Sequence, residues 1–167
     1  MPNDSMTGKV VLITGGASGI GASYAAYFAG RGATVVITDL DGPGVEERAR
    51  QLCGDNAVVE GVYADVRDGR KMQTVCDDIV ARHGSLDVAI ANAGAIGPET
   101  LEDTTPEDWD LVIDVNTKGV IHTCRAAAPH MERQRYGRIL VTLSYNAFRT
   151  GPHVIPYRVS KAGAYMF

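Results

Sequence analysis

Short apolar runs alternate with amphipathic segments along nearly the whole chain. Such apolar runs are typical of strands buried in a parallel sheet, and an apolar stripe at helical spacing is typical of a surface helix. The pattern predicts strands at 10–13, 33–38, 57–63, 86–91 and 138–143, and helices at 19–29, 45–52, 67–83 and from 105 towards 131. Strands and helices in this alternation indicate parallel βαβ units. We therefore predict an α/β fold, a doubly wound parallel sheet with strand order 3-2-1-4-5.

The longest predicted helix has the clearest boundaries. Thr105 is suited to cap it and Pro106 to occupy its first position, with two carboxylates following at the positive end of the helix dipole. Pro129 is expected to end or kink this helix, because proline lacks the N–H that an interior position donates. The chain has no evident repeat or linker, so residues 1–167 are expected to form a single domain.

Composition and charge are ordinary for a globular protein. Apolar residues make up 45% of the chain, charged residues 22%, and the net charge is −4. This mildly acidic balance gives no electrostatic reason to expect nucleic acid or an anionic membrane as a partner. The sequence contains no apolar stretch of membrane-spanning length and no signal-peptide pattern at its N-terminus. We therefore expect a cytoplasmic protein that has neither kind of partner.

Three cysteines, at 53, 76 and 124, are widely spaced and odd in number. This usage indicates reduced thiols in a cytosolic protein. The four histidines form no metal-ligand spacing with the cysteines, so no metal site is expected.

A glycine-rich loop, TGGASGIG from Thr14 to Gly21, separates the first strand from the first helix. Its spacing, Gly-x3-Gly-x-Gly, lets the backbone turn tightly and lets a pyrophosphate approach the helix N-terminus, where free N–H groups and the dipole bind an anion. Turns use glycine routinely, but a position between a strand and a helix favours a Rossmann-type dinucleotide site. The residues that we assign to cofactor binding here are Gly15, Ser18, Gly19, Ile20 and Gly21.

An acidic residue, Asp39, ends the second strand and is followed by Leu40. A carboxylate at this point can accept hydrogen bonds from the adenosine ribose and would repel a 2′-phosphate. The glycine loop and positions 39–42 contain no Arg or Lys, so NAD is favoured over NADP as the cofactor. The alternative is that Asp39 and Asp41 only begin a solvated turn.

Tyr157 and Lys161 are four residues apart, so on a helix their side chains lie on one face. Pro156 indicates a first helical turn, which puts Tyr157 near the positive end of that helix. A free phenol, with a pKa of about 10, is a poor base at neutral pH, but an ammonium about 4 Å away favours its ionised form by about 4 kcal/mol at an effective dielectric of about 20. A tyrosine and a lysine at this spacing on a surface helix are usually incidental. Their position after the fifth strand, thirteen residues beyond Ser144, favours proton transfer.

Together these motifs resemble the short-chain dehydrogenase/reductase family, over nearly the whole length of the chain. The segments that carry the resemblance are the glycine loop, Asp65-Val66, Asn92-Ala93-Gly94, Asn116, Ser144 and Tyr157-x3-Lys161. The resemblance implies an oxidoreductase that interconverts a secondary alcohol and a ketone by hydride transfer to or from NAD. It also implies a small-molecule substrate.

The resemblance implies a role for each matching residue. Tyr157 would be the general acid/base, and Lys161 would bind the nicotinamide ribose and lower the tyrosine pKa. Ser144 would orient the substrate oxygen. Asn116 would hold a water in a proton relay from Lys161 to solvent, although inside a helix it could instead only cap or kink it.

The resemblance also implies contacts with the rest of the cofactor. Asp65 and Val66 would contact the adenine ring. Asn92, Ala93 and Gly94 would line the cofactor and steady the sheet, although Asn92 and Gly94 could instead only shape a turn.

Members of the family are longer and add two further strands and a substrate-covering segment after the Tyr-Lys helix. Compared with them, the chain is expected to be incomplete at its C-terminal end and to lack the family's last two strands. The long helix and the Tyr-Lys helix usually build the subunit interface in this family, so a homo-oligomer is expected where these helices are complete.

Three hypotheses follow from the sequence. The favoured one is an NAD-dependent alcohol dehydrogenase/ketoreductase. The second is a truncated dinucleotide-binding protein without turnover. The third is another Rossmann protein, such as a methyltransferase or nucleotide sensor, in which Tyr157 and Lys161 are incidental.

Overall fold

A computed structural model describes residues 5–54 and 57–167 of the chain. The strands in these residues are β1 (Val10–Thr14), β2 (Thr34–Asp39), β3 (Val58–Tyr63), β4 (Val88–Ala91) and β5 (Arg138–Val141). The α-helices are α1 (Gly19–Ala29), α2 (Gly42–Leu52), α3 (Gly69–His83), α4 (Pro106–Ile113), α5 (Gly119–Gln134) and α6 (Ile155–Met166). A π-helical segment, Asp114–Lys118, joins α4 to α5, and a 3-10 turn, Tyr145–Ala147, follows β5.

The strands form one parallel sheet in the order β3-β2-β1-β4-β5, which confirms the predicted fold class and strand order. Every predicted strand boundary lies within two residues of the observed one. The order reverses between β1 and β4, and sheets of this kind bind ligands beyond the carboxyl ends of the strands at such a switch point. In the described part of the chain no strand follows β5.

Both faces of the sheet are covered. On one face, α3 and α5 pack over β1 and β4, with Met72, Ile79 and Met131 in the core. On the other face, α1 and α2 pack over β1 and β2, with Ala25 and Val45 in the core. The central strand β1 is therefore apolar on both faces and buried along its whole length, as its continuous apolar run predicted.

Two helices begin at different residues from those predicted, because aspartates cap them. Asp41 accepts a hydrogen bond from the N–H of Gly44 at 3.0 Å, so α2 begins at Gly42 rather than at 45. Asp68 accepts from the N–H groups of Arg70 and Lys71, so α3 begins at Gly69 rather than at 67. Aspartate is among the strongest N-cap residues.

The long helix begins as predicted but does not end at Pro129. Thr105 and Asp108 form a reciprocal capping box on either side of Pro106. Pro129 lies inside α5, which continues to Gln134, so of the two predicted outcomes, an end or a kink at Pro129, the end is wrong and the kink stays a prediction. Core residues on both sides of the proline, including Ala127 and Met131, keep the segment packed against α3 despite the missing hydrogen bond.

The cysteines at 53, 76 and 124 are all free. Burial raises the pKa of the Cys76 thiol to about 12, so this thiol stays protonated. Among residues 5–54 and 57–167, no helix is long and apolar enough to cross a membrane. The same residues contain no cluster of three or more His, Cys, Asp or Glu side chains that could hold a metal ion.

Asp87 ties the start of β1 to the start of β4, and its loss should destabilise the fold. The carboxylate is buried and accepts hydrogen bonds from Lys9 Nζ at 2.9 Å, Val10 N at 3.0 Å and Ser85 Oγ at 2.8 Å. Burial opposes ionisation, but these hydrogen bonds outweigh it and lower the pKa of Asp87 below 3.8. We expect Asp87→Asn to lower the free energy of unfolding by about 1–3 kcal/mol at pH 7.

The pH dependence gives a second measurement of the same contribution. A depressed carboxyl pKa stabilises the fold fully above 3.8, and this stability is lost as the pH falls through the folded-state pKa. In urea denaturation, Asp87→Asn should therefore differ from wild type most at neutral pH and least in acid. Asp78→Asn, on the exposed face of α3, is the matched control. An unchanged unfolding midpoint in Asp87→Asn at pH 7 would contradict the prediction.

Candidate active site

A cavity of about 650 Å³ lies at the carboxyl ends of the strands, beside the switch point between β1 and β4. It brings together most of the site residues predicted from the sequence. The predicted residues that line it are Gly15, Ser18, Ile20, Gly21, Asp39, Leu40, Asp65, Val66, Asn92, Ala93, Gly94, Tyr157 and Lys161. The lining does not include Gly19, Asn116 or Ser144.

The glycine loop has the tight geometry that its spacing predicted. Gly15 has a φ of +67°, a conformation that glycine adopts without strain. A Cβ added to Gly21 would lie 2.0 Å from the carbonyl oxygen of Gly15, so α1 and the loop approach each other more closely than any side chain allows. Gly19, with a φ of +55°, opens α1 and has free space where a Cβ would project. The N-terminus of α1 is thereby left open beside the cavity, as phosphate binding requires.

Asp39 shapes the glycine loop as well as the cavity. Its Oδ2 accepts a hydrogen bond from Ala17 N at 3.0 Å, and its Oδ1 accepts from Asp41 N at 3.1 Å. On the other side of the same loop residue, Arg48 Nε donates to the carbonyl oxygen of Ala17 at 3.1 Å. The loop is thus held at Ala17 by an acid from β2 and a base from α2. Arg48 could not be predicted as a site residue, because nothing in its local context separates it from an ordinary surface arginine.

At another part of the cavity wall, Asp65 is held by Arg67. Arg67 Nε donates to both carboxylate oxygens of Asp65, at 3.0 and 2.9 Å, and Nη2 donates to Oδ2 at 2.6 Å. The hydrogen bonds from Arg67 lower the pKa of Asp65, although partial burial opposes the shift. Behind this wall, His122 Nδ1 lies 3.0 Å from the carbonyl oxygen of Val66, which requires the ring to carry its proton on Nδ1.

Asn92 connects the ends of three strands. Its backbone N–H donates to Thr14 Oγ1 at 3.0 Å, and its Nδ2 donates to the carbonyl oxygens of Thr14 and Gly15 at 3.0 and 3.2 Å. Its Oδ1 accepts from Thr142 Oγ1 at 3.2 Å. The predicted Asn92 therefore lies where β1, β4 and β5 end, and Thr142 lines the cavity although its local sequence did not predict it.

Lys161 and Tyr157 both line the cavity from α6. The Lys161 side chain is only 3% exposed, and its ammonium donates to the carbonyl oxygen of Thr142 at 2.8 Å. Burial lowers the pKa of Lys161. Its Nζ lies 5.7 Å from the centroid of the Tyr157 ring. An ammonium with two further N–H groups is therefore held beside the phenol.

The residue before α6, Val154, has an unusual backbone conformation. Val154 precedes the helix with φ 48° and ψ 45°, a left-handed conformation that is rare for a β-branched side chain. Its N–H donates to the carbonyl oxygen of Glu99 at 2.6 Å. This bond ties the loop after β4 to the first turn of α6, which carries Tyr157.

Asn116 is fully buried in the π-helical segment, outside the cavity. Its Nδ2 donates to the carbonyl oxygen of Ala95 and to Ser160 Oγ, at 2.8 and 2.9 Å, while its Oδ1 accepts from Ala95 N at 2.8 Å. Ser160 Oγ in turn donates to the carbonyl oxygen of Tyr157 at 2.8 Å. The side chain therefore links the loop after β4 to the first turns of α6. Both side-chain N–H groups of Asn116 donate to protein atoms. A relay water would therefore have to donate to the main-chain carbonyl oxygen of Asn116 or to the second lone pair of its Oδ1.

Ser144 lies three residues beyond the end of β5, where it caps the 3-10 turn Tyr145–Ala147. Its Oγ accepts from the N–H of Asn146 at 3.1 Å. A hydroxyl that accepts one hydrogen bond still has its own O–H to donate, so this contact leaves Ser144 able to bind a substrate oxygen.

Comparison with known proteins gives the family of the chain and supports its fold. The family model described as short chain dehydrogenase matches residues 9–167, so the chain belongs to the short-chain dehydrogenase/reductase family. A solved short-chain dehydrogenase/reductase from Burkholderia phymatum, in complex with NAD, superposes with a TM-score of 0.92 at 31% identity. The superposition covers 97% of this chain and 58% of that one.

Among curated relatives, 3-oxoacyl-[acyl-carrier-protein] reductase FabG of Thermotoga maritima is 35% identical, over 95% of this chain and 64% of the relative. D-threitol dehydrogenase of Mycolicibacterium smegmatis is 34% identical, over 95% and 61% respectively. Peroxisomal multifunctional enzyme type 2 of Drosophila melanogaster is 35% identical, over 93% of this chain and 27% of the relative. The chain thus spans 64% or less of the length of each of these relatives.

Proposed function

We propose that this protein is an NAD-dependent oxidoreductase that interconverts a secondary alcohol and a ketone, with Tyr157 as the general acid/base. The observation that carries the proposal is the buried ammonium of Lys161, 5.7 Å from the Tyr157 ring, on the wall of a cavity that also contains the glycine loop. Among residues 5–54 and 57–167 the Lys161 ammonium bonds a carbonyl oxygen and no carboxylate. A buried charge without a countercharge is costly, and it is expected where a ligand or a developing negative charge compensates it.

The cavity fits a dinucleotide. The glycine loop and the open N-terminus of α1 suit a pyrophosphate, with Gly21 at a point where any Cβ would collide with the loop. Asp39 and Asp65 line the wall as acceptors for ribose hydroxyls and the adenine amine. When bound, NAD would supply the hydride acceptor.

In this proposal each site residue has a defined role toward the substrate or the cofactor. Tyr157 Oη would take the proton of the substrate hydroxyl during oxidation and return it during reduction, while Ser144 Oγ would donate a hydrogen bond to the same substrate oxygen. The Lys161 ammonium would stabilise the phenolate and bind the nicotinamide ribose with its remaining N–H groups. Asn116 would hold the first turns of α6 in place and leave its free acceptors for a relay water.

A titration and a turnover assay on the same preparation test the proposal. NADH fluorescence should change on binding with saturable behaviour, and a panel of secondary alcohols and ketones should show turnover that follows NADH absorbance. Binding without turnover on any substrate would favour a dinucleotide-binding protein instead. No binding of NADH or NADPH would overturn the proposal.

Cofactor preference depends on Asp39, and we expect NADH to bind at least about tenfold more tightly than NADPH. Asp39 lines the cavity, where its charge would repel a 2′-phosphate. Asp39→Asn keeps an acceptor for Ala17 N but removes the charge, so the ratio of the two dissociation constants should fall towards one. Asp41→Asn, which removes a charge two residues away and still permits a cap on α2, should leave the ratio near the wild-type value. Equal affinity of the wild-type protein for NADH and NADPH would refute this preference.

Two further expectations stay predictions. A homo-oligomer would use the long helix and α6, whose outer face carries the exposed side chains of Val159, Tyr165 and Met166. A cytoplasmic location is consistent with three free thiols, whereas one relative is named as a peroxisomal enzyme.

A further inference from the structure

Thr142, the first residue after β5, makes three hydrogen bonds, two to the end of β4 and one to α6. Its N–H donates to the carbonyl oxygen of Ala91 at 3.0 Å, and its own carbonyl oxygen accepts from Lys161 Nζ at 2.8 Å. Its hydroxyl donates to Asn92 Oδ1 at 3.2 Å. Thr142 is therefore part of the cavity wall, and its backbone carbonyl and its hydroxyl together link α6 to the end of β4.

The orientation of the Asn92 amide makes the hydroxyl contact specific. Two carbonyl oxygens, of Thr14 and Gly15, face one end of this amide, and a carbonyl can only accept. The NH₂ end must point at them, which turns Oδ1 towards β5 and leaves it in need of a donor. Thr142 Oγ1 supplies that donor.

These contacts form a chain in which hydrogen bonds are joined through the residues Thr142 and Asn92. It runs from the Lys161 ammonium to the Thr142 carbonyl, from the Thr142 hydroxyl to Asn92, and from Asn92 to the carbonyl of Gly15 in the glycine loop. The chain crosses the carboxyl ends of β5, β4 and β1. It therefore joins the residue expected at the nicotinamide ribose to the loop expected at the pyrophosphate.

We propose that the Thr142 hydroxyl is a positioning group that holds Lys161 and the glycine loop at the separation that one dinucleotide spans. This inference rests on the proposed function. Two hydrogen bonds fix Thr142, one from its N–H to Ala91 and one from its hydroxyl to Asn92. Without the hydroxyl bond the peptide group of Thr142 can rotate. Its carbonyl oxygen, which holds the Lys161 ammonium, then moves as well. A ligand that touches both ends of the chain then binds less well, whereas a ligand that reaches only the adenosine end is little affected.

Thr142→Val tests the proposal, because valine has the shape of threonine without the hydroxyl. We expect the dissociation constant of NADH to rise about 3- to 10-fold, as for the loss of one hydrogen bond between neutral groups. The affinity for AMP, measured by displacement, should change less than about twofold. Thr142→Ser, which restores the hydroxyl, should restore most of the NADH affinity. Thr74→Val, which removes an exposed hydroxyl on α3 that bonds only within its helix, is the matched control.

Turnover gives an independent measurement of the same effect. A displaced Lys161 should lower kcat as well as raise the KM for NAD, whereas a loss of stability alone would lower the melting temperature and leave both constants unchanged at 25 °C. Equal NADH affinity in Thr142→Val and wild type, or an equal loss of NADH and AMP affinity, would overturn the inference. If the valine variant fails to fold, Thr142→Ser against Thr142→Ala isolates the same hydroxyl. Failure of the wild-type protein to bind NADH would instead overturn the proposed function itself.

Discussion

Replacing Tyr157 with phenylalanine should lower kcat by at least about 100-fold while the dissociation constant of NADH changes less than about threefold. General acid–base catalysis by a positioned group contributes about 10²–10⁴-fold, and phenylalanine has no proton to exchange. The phenyl ring of the variant would remain beside Lys161 Nζ, and Lys161 would keep its hydrogen bond to Thr142. The wall of the cavity should therefore stay intact. The measurement is steady-state turnover paired with an NADH fluorescence titration.

Tyr165→Phe is a control on the same helix. Tyr165 is exposed and packs edge-on against Phe148, with ring centroids 4.6 Å apart, away from the cavity lining. This variant should retain wild-type turnover. Activity within a few fold of wild type in Tyr157→Phe would remove the tyrosine from the mechanism, whatever the affinity for NADH.

Replacing Gly21 with alanine should damage the cofactor site and the fold together. The added methyl group would lie 2.0 Å from the carbonyl oxygen of Gly15 and 2.8 Å from Asn92 Nδ2. The nearest of these atoms belongs to backbone, so the methyl group can fit only if the Gly15 peptide moves. Overpacking of this kind costs about 1–3 kcal/mol and occasionally more. We expect a lower melting temperature and a loss of NADH affinity of more than about tenfold.

The matched control is Gly54→Ala, where a Cβ would have no heavy atom within 4 Å and the backbone needs no left-handed conformation. It should match wild type in melting temperature to within a few degrees and in NADH affinity. If Gly21→Ala bound NADH as tightly as wild type, the close approach of loop and helix would have no part in cofactor binding.

Much of the fold could be predicted from the sequence because its signals are local. The apolar run of β1, the glycine loop and the Thr105 cap each lie within a few neighbouring residues, and the structure has all three where they were expected. The Asp41 and Asp68 caps are local too. They were missed because the apolar periodicity does not locate a cap: it predicted the start of α2 three residues too late and the start of α3 two residues too early.

The residues missed in the site act over long distances in sequence. Thr142 contacts Asn92 across 50 residues, Arg48 contacts Ala17 across 31, and His122 contacts Val66 across 56. A threonine, an arginine and a histidine at such positions have no local pattern that separates them from ordinary surface residues. Only the tertiary fold brings Thr142 to the cavity wall and places Arg48 and His122 against the backbone of Ala17 and Val66.

Pro129 and Asn116 illustrate two kinds of tertiary influence on a helix. Proline disfavours an interior helical position, yet the packing of α5 against α3 keeps the helix continuous through Pro129. Asn116 was expected in a plain helix, but it lies in a π-helical turn, where its amide bonds Ala95 and Ser160. Neither outcome follows from intrinsic propensity, because both depend on what packs against the helix.

The π-helical turn between α4 and α5 has a consequence for the phase of the long helix. A turn closed by i to i+5 bonds contains one residue more than an α-helical turn, and one residue corresponds to about 100° of rotation. Before the turn the helix packs against α6, which carries Tyr157 and Lys161; after it, the helix packs against α3. A strictly α-helical segment would keep a single apolar stripe and would serve one of these neighbours at the expense of the other. The single extra residue therefore rotates the second half of the helix relative to the first, so that one continuous helix supports both α6, which carries Tyr157 and Lys161, and α3.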